Sequence, residues 1–158
     1  MVLIFTDGAA KNNGKKNCIA ASAVWVENCP ELSSAVVIKD HPSNQRAELM
    51  AIHMALERAC TTYSNCIVTI VSDSLYSIKC LTDWCKNWIR NGWKTKGGKP
   101  VHHQDLIKSC LVLMEQHGKI VFKHQNSHQK EPDDRSSLAW PLWYGNNMAD
   151  RLASSACV

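Results

Sequence analysis

The sequence predicts an α/β protein with a five-stranded mixed sheet flanked by helices, and three observations carry that expectation. Near the amino terminus Val2-Leu3-Ile4-Phe5 is a short apolar run of the kind buried on both faces, ending at Thr6-Asp7-Gly8. Two more apolar segments follow across short polar turns, the pattern of an antiparallel meander. After a helical stretch comes a β-branched run at residues 67–71, which also ends at an acid, Asp73. A strand that follows a helix in this way pairs in parallel with an earlier one, which makes the sheet a three-strand meander plus two parallel strands.

Taken in order, Lys11 to Asn17 is a polar turn and Ile19–Val26 is the second strand. Asn28-Cys29-Pro30 breaks it, and residues 34–39 form the third. His41-Pro42 stops the sheet, and Ser43 or Asn44 can cap a helix running to about Cys60. Beyond the strand at 67–71, the residues Leu81, Trp84, Cys85, Trp88 and Ile89 fall at i, i+3, i+4, i+7 and i+8. That spacing predicts one continuous helix from Ser74 to about Arg90, closed by Gly92. A basic loop leads to a further helix with Leu106, Ile107, Cys110, Leu111 and Met114 on one face, stopping at Gly118. Residues 119–124 alternate as a fifth strand. Residues 125–144 read as irregular and polar, and Asn146 or Asn147 as the cap of a short last helix through Ala156.

The 158 residues suit one domain. No apolar run is long enough to cross a membrane, and Met1 leads straight into the first strand, leaving no room for a signal or transit peptide. The eight cysteines form no C-x-x-C pair and mostly fall in apolar-periodic segments, so free thiols in a reducing, intracellular compartment are expected. A formal charge of +4 is mild, but Lys86, Arg90, Lys94, Lys96 and Lys99 lie in a stretch without an acid between Trp84 and Gln104. Such a face suits either a polyanion partner or a solvated helix end.

Four acids stand out. Asp7 and Asp73 end adjacent parallel strands at one sheet edge, where open α/β sheets place ligands, although Asp7-Gly8 by itself also fits a turn. Glu48, placed in the first turn of its helix, shares a face with Ala51, Ile52 and Ala55. A helix-dipole role explains that position but not the inward face. Asp150 repeats the arrangement in the last helix, with Ala153, Ser154 and Cys157. Four clustered carboxylates cannot all stay ionised without cations. Their oxygen-only donor set favours Mg²⁺ or Mn²⁺ over zinc, and paired ions about 3.5–4 Å apart suit in-line displacement at phosphorus.

Together with these acids, FTDGAA (5–10), NQRAELMA (44–51), VSDSLYS (71–77), WIRNGWKTKGGKPV (88–101) and GNNMADRLA (145–153) resemble the motifs of type 1 ribonuclease H, in order and over nearly the whole chain. The resemblance implies an RNase H-like fold and a single catalytic domain over 1–158, with no separate hybrid-binding domain. It also implies a monomeric endonuclease that cuts the RNA strand of RNA–DNA hybrids with two Mg²⁺ ions, Mn²⁺ being able to substitute, and leaves 5′-phosphate and 3′-hydroxyl ends. Asp7 then bridges both ions, Asp150 holds the one that activates water, and Glu48 and Asp73 hold the other. His128, in NSHQK (126–130), matches the loop histidine that aids proton transfer or product release.

Among substrate contacts, Asn13, Asn44 and Gln45 match positions that read the minor groove, where 2′-hydroxyls mark RNA. Ser43 suits the phosphate pocket. Trp84, Trp88 and the loop lysines Lys94, Lys96 and Lys99 match the handle along the DNA strand, although Trp84 and Trp88 also fit the helix's core stripe. His41 and His103 stand where many relatives have Arg and Asn, and Leu75 replaces a polar residue. The same fold also serves 3′–5′ exonucleases and polynucleotidyl transferases, which lack the tryptophan-rich basic loop, and non-catalytic hybrid-binding modules. HQK followed by GNNMAD is similar as well to the ribonuclease H domain of retroviral polymerases, in which case the partner is a polymerase.

The interval from His128 to Asp150 is longer than in many relatives. Its first half, Gln129 to Ser137, is charged and loop-like. Its second half should pack through Leu138, Trp140, Leu142 and Trp143, either on the domain's own surface or on nucleic acid or a partner.

Overall fold

The computed structural model of the chain describes residues 1–158. Its five strands are Val2–Lys11 (β1), Ile19–Val26 (β2), Ser34–Ile38 (β3), Val68–Ser72 (β4) and Ile120–His124 (β5), in the spatial order β3-β2-β1-β4-β5. β2 runs antiparallel to β1 and to β3, whereas β4 is parallel to β1 and to β5. This is the expected mixed sheet.

One expectation about β1 is corrected. The strand does not stop at Asp7 but continues to Lys11, because β2 pairs with it out to Lys11↔Ile19, while its parallel ladder with β4 ends at Thr6↔Ser72. Asp7 is therefore mid-strand, at the point where one neighbour has ended and the other has not. That leaves space on the β4 side of the carboxylate, and the Asp-Gly turn is excluded.

The helices are Asn44–Thr62 (α1), Leu75–Lys79 (α2), Cys85–Asn91 (α3), Gln104–His117 (α4) and Ala139–Ala156 (α5). α1 starts at Asn44 because the Ser43 hydroxyl accepts the Arg46 N–H at 3.1 Å. Glu48 thus lies in the second turn, not the first. The single helix expected from Ser74 to Arg90 is interrupted: Cys80–Trp84 is a π-helical turn joining α2 to α3. There the Thr82 hydroxyl donates to the Ile78 carbonyl at 2.8 Å, a back-bond that bends helices. Gly92 closes α3 with φ 78°, and Gly118 closes α4 with φ 79°, both left-handed caps as the sequence suggests.

The largest correction is the last helix. Asn146 and Asn147 do not cap it; α5 begins at Ala139 and holds both in its interior. The helix accommodates both Pro141 and Gly145: Pro141 sits in the first turn, where a missing N–H does no harm. Gly145 lies against the ring of Phe5: a Cβ there would stand 2.1 Å from it. Asp150 is consequently in the middle of a long helix rather than at the start of a short one, and the irregular segment shrinks to residues 125–138.

α1 and α4 cover one face of the sheet, where Ile4, Val24, Val68 and Ile70 meet Leu49, Ile52, Leu56 and Ile107. On the opposite face Phe5 and Val71 meet Ala149 of α5. Replacing Gly145 with Ala should gain about 1 kcal/mol of helix propensity but lose more to the clash. Phe5 is fully buried and has nowhere to go. A net loss of about 2 kcal/mol is expected, a fall in Tm on the order of 4–8 °C by calorimetry. No helix is long and apolar enough to cross a membrane, and all eight cysteines are free, four of them buried.

Candidate active site

The end of the β1–β4 ladder makes the site. Asp7 leaves β1 just past that ladder, Asp73 follows the last residue of β4, and Glu48 reaches in from α1. One carboxylate oxygen from each lies within 4.8 Å of the others. Asp7 and Glu48 are buried, at 4 % and 5 % exposure, and Asp73 is half-buried. The backbone N–H of Gly8 donates a short hydrogen bond to Glu48 Oε1, which aims the side chain across the strand. Its other oxygen, Oε2, is buried without any partner.

These acids disturb one another. Burial, reinforced by the charge of Asp73, pushes the Asp7 carboxyl up to about 8. Burial and the charges of Asp73 and Asp7 push Glu48 well above the usual carboxylate range. A protein gains nothing by desolvating a carboxylate oxygen and leaving it unpaired. A divalent cation removes both penalties, and the all-oxygen donor set suits a hard ion. The residues present therefore fit a metal.

Asp150 is not part of the tight triad. It is half-buried and lines the same cleft of about 330 Å³, within reach of Asp7, as does His128 on the facing loop. No hydrophobic side chain lines this cleft. Asn44 is at its rim, and its backbone N–H is held at 3.0 Å by Asn13 Oδ1, which brings two of the expected hybrid-reading residues together. Gln45 is exposed beside them. Ser43 is engaged as the α1 cap.

Farther out, Tyr76, Trp84, Trp88 and Trp93 form a ladder with ring centroids 5.7, 6.1 and 5.9 Å apart, and Lys108 Nζ lies 5.0 Å from the Trp93 ring. Trp88 is half-buried against the core, while Trp84 is 38 % exposed, so the two tryptophans divide the alternatives between them. The basic loop is a small hairpin: Lys94 bridges Pro100, and the Thr95 N–H donates to Lys99 O at 2.7 Å. Lys94, Lys96 and Lys99 are all exposed on it.

Three further residues shape this surface. Gly8 gives α1 its close approach to β1. The buried guanidinium of Arg46 forms a two-point ion pair with Asp105, at 3.2 and 2.7 Å, which ties α1 to the start of α4. That hydrogen-bonded guanidinium holds the Asp105 carboxyl down at about 2. His103 is half-buried, its Nδ1 3.5 Å from Arg46 Nη1, and burial and the Arg46 charge lower its pKa. The third is Trp143, whose indole N–H donates to Gln129 O at 2.9 Å. Arg46 lies in the NQRAELMA segment (44–51) and Asp105 at a helix start, so their separation in the chain hides the pair from the sequence.

A family model for RNase H matches residues 1–158. The chain belongs to the ribonuclease H family. It is 34% identical over 152 residues to the ribonuclease H of Schizosaccharomyces pombe, covering 96% of this chain and 51% of that protein. To the ribonuclease H of Zymomonas mobilis it is 33% identical over 158 residues, covering 100% of this chain and 89% of that one. The chain thus spans about half the length of the fission-yeast ribonuclease H and most of the bacterial one. Among solved structures, the PFV RNase H domain superposes with a TM-score of 0.74 at 23% identity, over 99% of this chain and 93% of that domain, which shows the shared ribonuclease H fold.

Proposed function

We propose that this protein is an endoribonuclease that hydrolyses the RNA strand of RNA–DNA hybrids, leaving 5′-phosphate and 3′-hydroxyl ends. The observation that carries the reading is the group of three carboxylates within 4.8 Å, one of whose buried oxygens has no partner. Asp7, Glu48, Asp73 and Asp150 are the residues that would hold two Mg²⁺ ions. When bound, such ions would supply Lewis-acid stabilisation of the attacking and departing oxygens of an in-line displacement.

The rest of the work belongs to the chain's own groups. Gly8 N–H fixes the Glu48 carboxylate. Asn13 and Asn44, already joined at the cleft rim, meet the 2′-hydroxyl side of the RNA strand together with Gln45. The imidazole of His128, on the rim, exchanges a proton with the departing 3′-oxygen. Trp84 and the lysine hairpin lie along the DNA strand.

Labelled hybrid, double-stranded RNA, double-stranded DNA and single-stranded RNA, each with Mg²⁺ and with chelator, test the reading. Internal cuts in the RNA of the hybrid alone, abolished by chelator, are expected; equal cleavage of double-stranded RNA or no cleavage of hybrid would overturn it. The hairpin lysines should act through charge. Replacing Lys94, Lys96 and Lys99 with Ala is expected to flatten the salt dependence of hybrid binding by about two to three units of log–log slope. An unchanged slope would put the DNA strand elsewhere.

A further inference from the structure

The loop that carries His128 is touched on both sides by α5, loosely on one and closely on the other. On one side the Asn146 amide donates to Asn126 O at 3.5 Å; on the other the Trp143 indole N–H donates to Gln129 O at 2.9 Å. The two carbonyls flank Ser127-His128. His128 itself has φ 56°, in the left-handed region that histidine visits more readily than most side chains.

Trp143 is in turn braced against the sheet. Its ring is 6.2 Å from Trp140, which stacks on Tyr144 at 4.8 Å and 12°; Tyr144 meets Trp25 of β2 edge-on at 6.2 Å. A continuous line of aromatic contacts therefore runs from β2 to the carbonyl next to His128. The aromatic half of the long 129–144 interval is thus packed on the domain's own surface. Leu138 is the exception to that expectation: just before the first helical turn, at the rim of a groove it shares with Leu3, Val121 and Leu142, it remains 91 % exposed.

We infer that Trp143 is a positioning residue for His128: by holding the Gln129 carbonyl it fixes the loop in the conformation that points the imidazole into the carboxylate cleft. This rests on the hybrid-cleaving function proposed above. His128 lines both that cleft and the small pocket formed with Trp143, Asn146 and Asp150, so a displacement of the Gln129 carbonyl is transmitted to the imidazole directly. Reacting groups misplaced by an ångström lose on the order of a hundredfold in rate, and a loosened loop that samples the right position part of the time loses less.

Trp143→Phe tests the idea, since it keeps an aromatic ring against Trp140 and removes the N–H. Steady-state kcat on hybrid should fall about tenfold with KM unchanged within about twofold. Adding Trp143→Phe to His128→Ala should cost nothing further, because the two act through one imidazole. Trypsin should also cut after Lys130 faster in Trp143→Phe than in wild type, while the unfolding midpoint stays put. A wild-type kcat, effects of the two substitutions that multiply, or an unchanged cutting rate at Lys130 would each overturn the inference. Failure of the wild-type protein to cut hybrid would instead overturn the proposed function, and the cutting rate at Lys130 separates the two failures.

Discussion

Asp7→Asn should reduce hybrid cleavage by about a thousandfold or more while leaving hybrid binding nearly intact, and in chelator it should make the protein more stable. The first effect follows from the position of Asp7 at the centre of the carboxylate group: loss of charge there removes several kcal/mol of transition-state stabilisation, at about 1.4 kcal/mol per factor of ten. The second follows from burial. The Asp7 carboxyl is raised to about 8 from an ordinary value of 3.8, so between those limits the folded protein holds a proton that the unfolded chain has released. The contribution of Asp7 to stability is therefore fullest below about pH 4 and is lost as pH rises through 8, by an amount on the order of a few kcal/mol because each pKa unit is worth about 1.4. Asparagine cannot ionise and should flatten that slope. Thermal unfolding in chelator at pH 5 and pH 8, beside single-turnover cleavage with Mg²⁺, reads both effects. Retained cleavage would remove Asp7 from the metal set, and a slope equal to wild type would assign the pH dependence to other groups.

The sheet was legible because its signals are local. Continuous apolar runs, short polar turns and the β-branched run before Asp73 each identify a strand without reference to the rest of the chain, and the order of strands around one helix settles which pairs are parallel. Helix ends marked by a capping serine or a glycine were equally plain: Ser43, Gly92 and Gly118 stand where their chemistry puts them. What could not be seen depends on distant partners. Asp7 is mid-strand because β2 outlasts β4 beside it, a fact about two other strands. Gly145 permits rather than breaks α5 because of Phe5, far away in sequence. The misplaced start of α5 then put Asp150 in the wrong turn. The four acids were still legible as candidates, since Asp7 and Asp73 follow apolar runs and Glu48 and Asp150 fall on apolar helix faces. Those patterns could not show that Asp150 stands apart from the other three, because that separation depends on how α5 lies across the sheet.

Gly8→Ala should lower both stability and activity, in contrast to Asp7→Asn at the adjacent position. A Cβ on Gly8 would lie 2.6 Å from the Glu48 backbone nitrogen and 2.7 Å from the Ala47 carbonyl carbon. Both are backbone atoms of α1, so no side-chain rotation relieves the contact; the helix has to move off β1. α1 contributes Leu49, Ile52, Ala55, Leu56 and Ala59 to the core, all fully buried, and close-packed interiors resist such a shift. Overpacking of this kind costs about 1–3 kcal/mol, which for a domain of this size lowers Tm by on the order of 3–10 °C. The same movement carries Glu48 away from Asp7 and Asp73 and strains the hydrogen bond from Gly8 N–H that aims it. A displacement near an ångström is enough for about a hundredfold loss in kcat. The two substitutions therefore separate charge from geometry. Asp7→Asn keeps the packing and deletes a carboxylate; Gly8→Ala keeps every carboxylate and spoils their spacing. If Gly8→Ala retained wild-type Tm and kcat, the close approach of β1 and α1 would not be what sets the position of Glu48. A gain in Tm on adding Mg²⁺ that is large in wild type and small in Gly8→Ala would locate the defect in the carboxylate group itself.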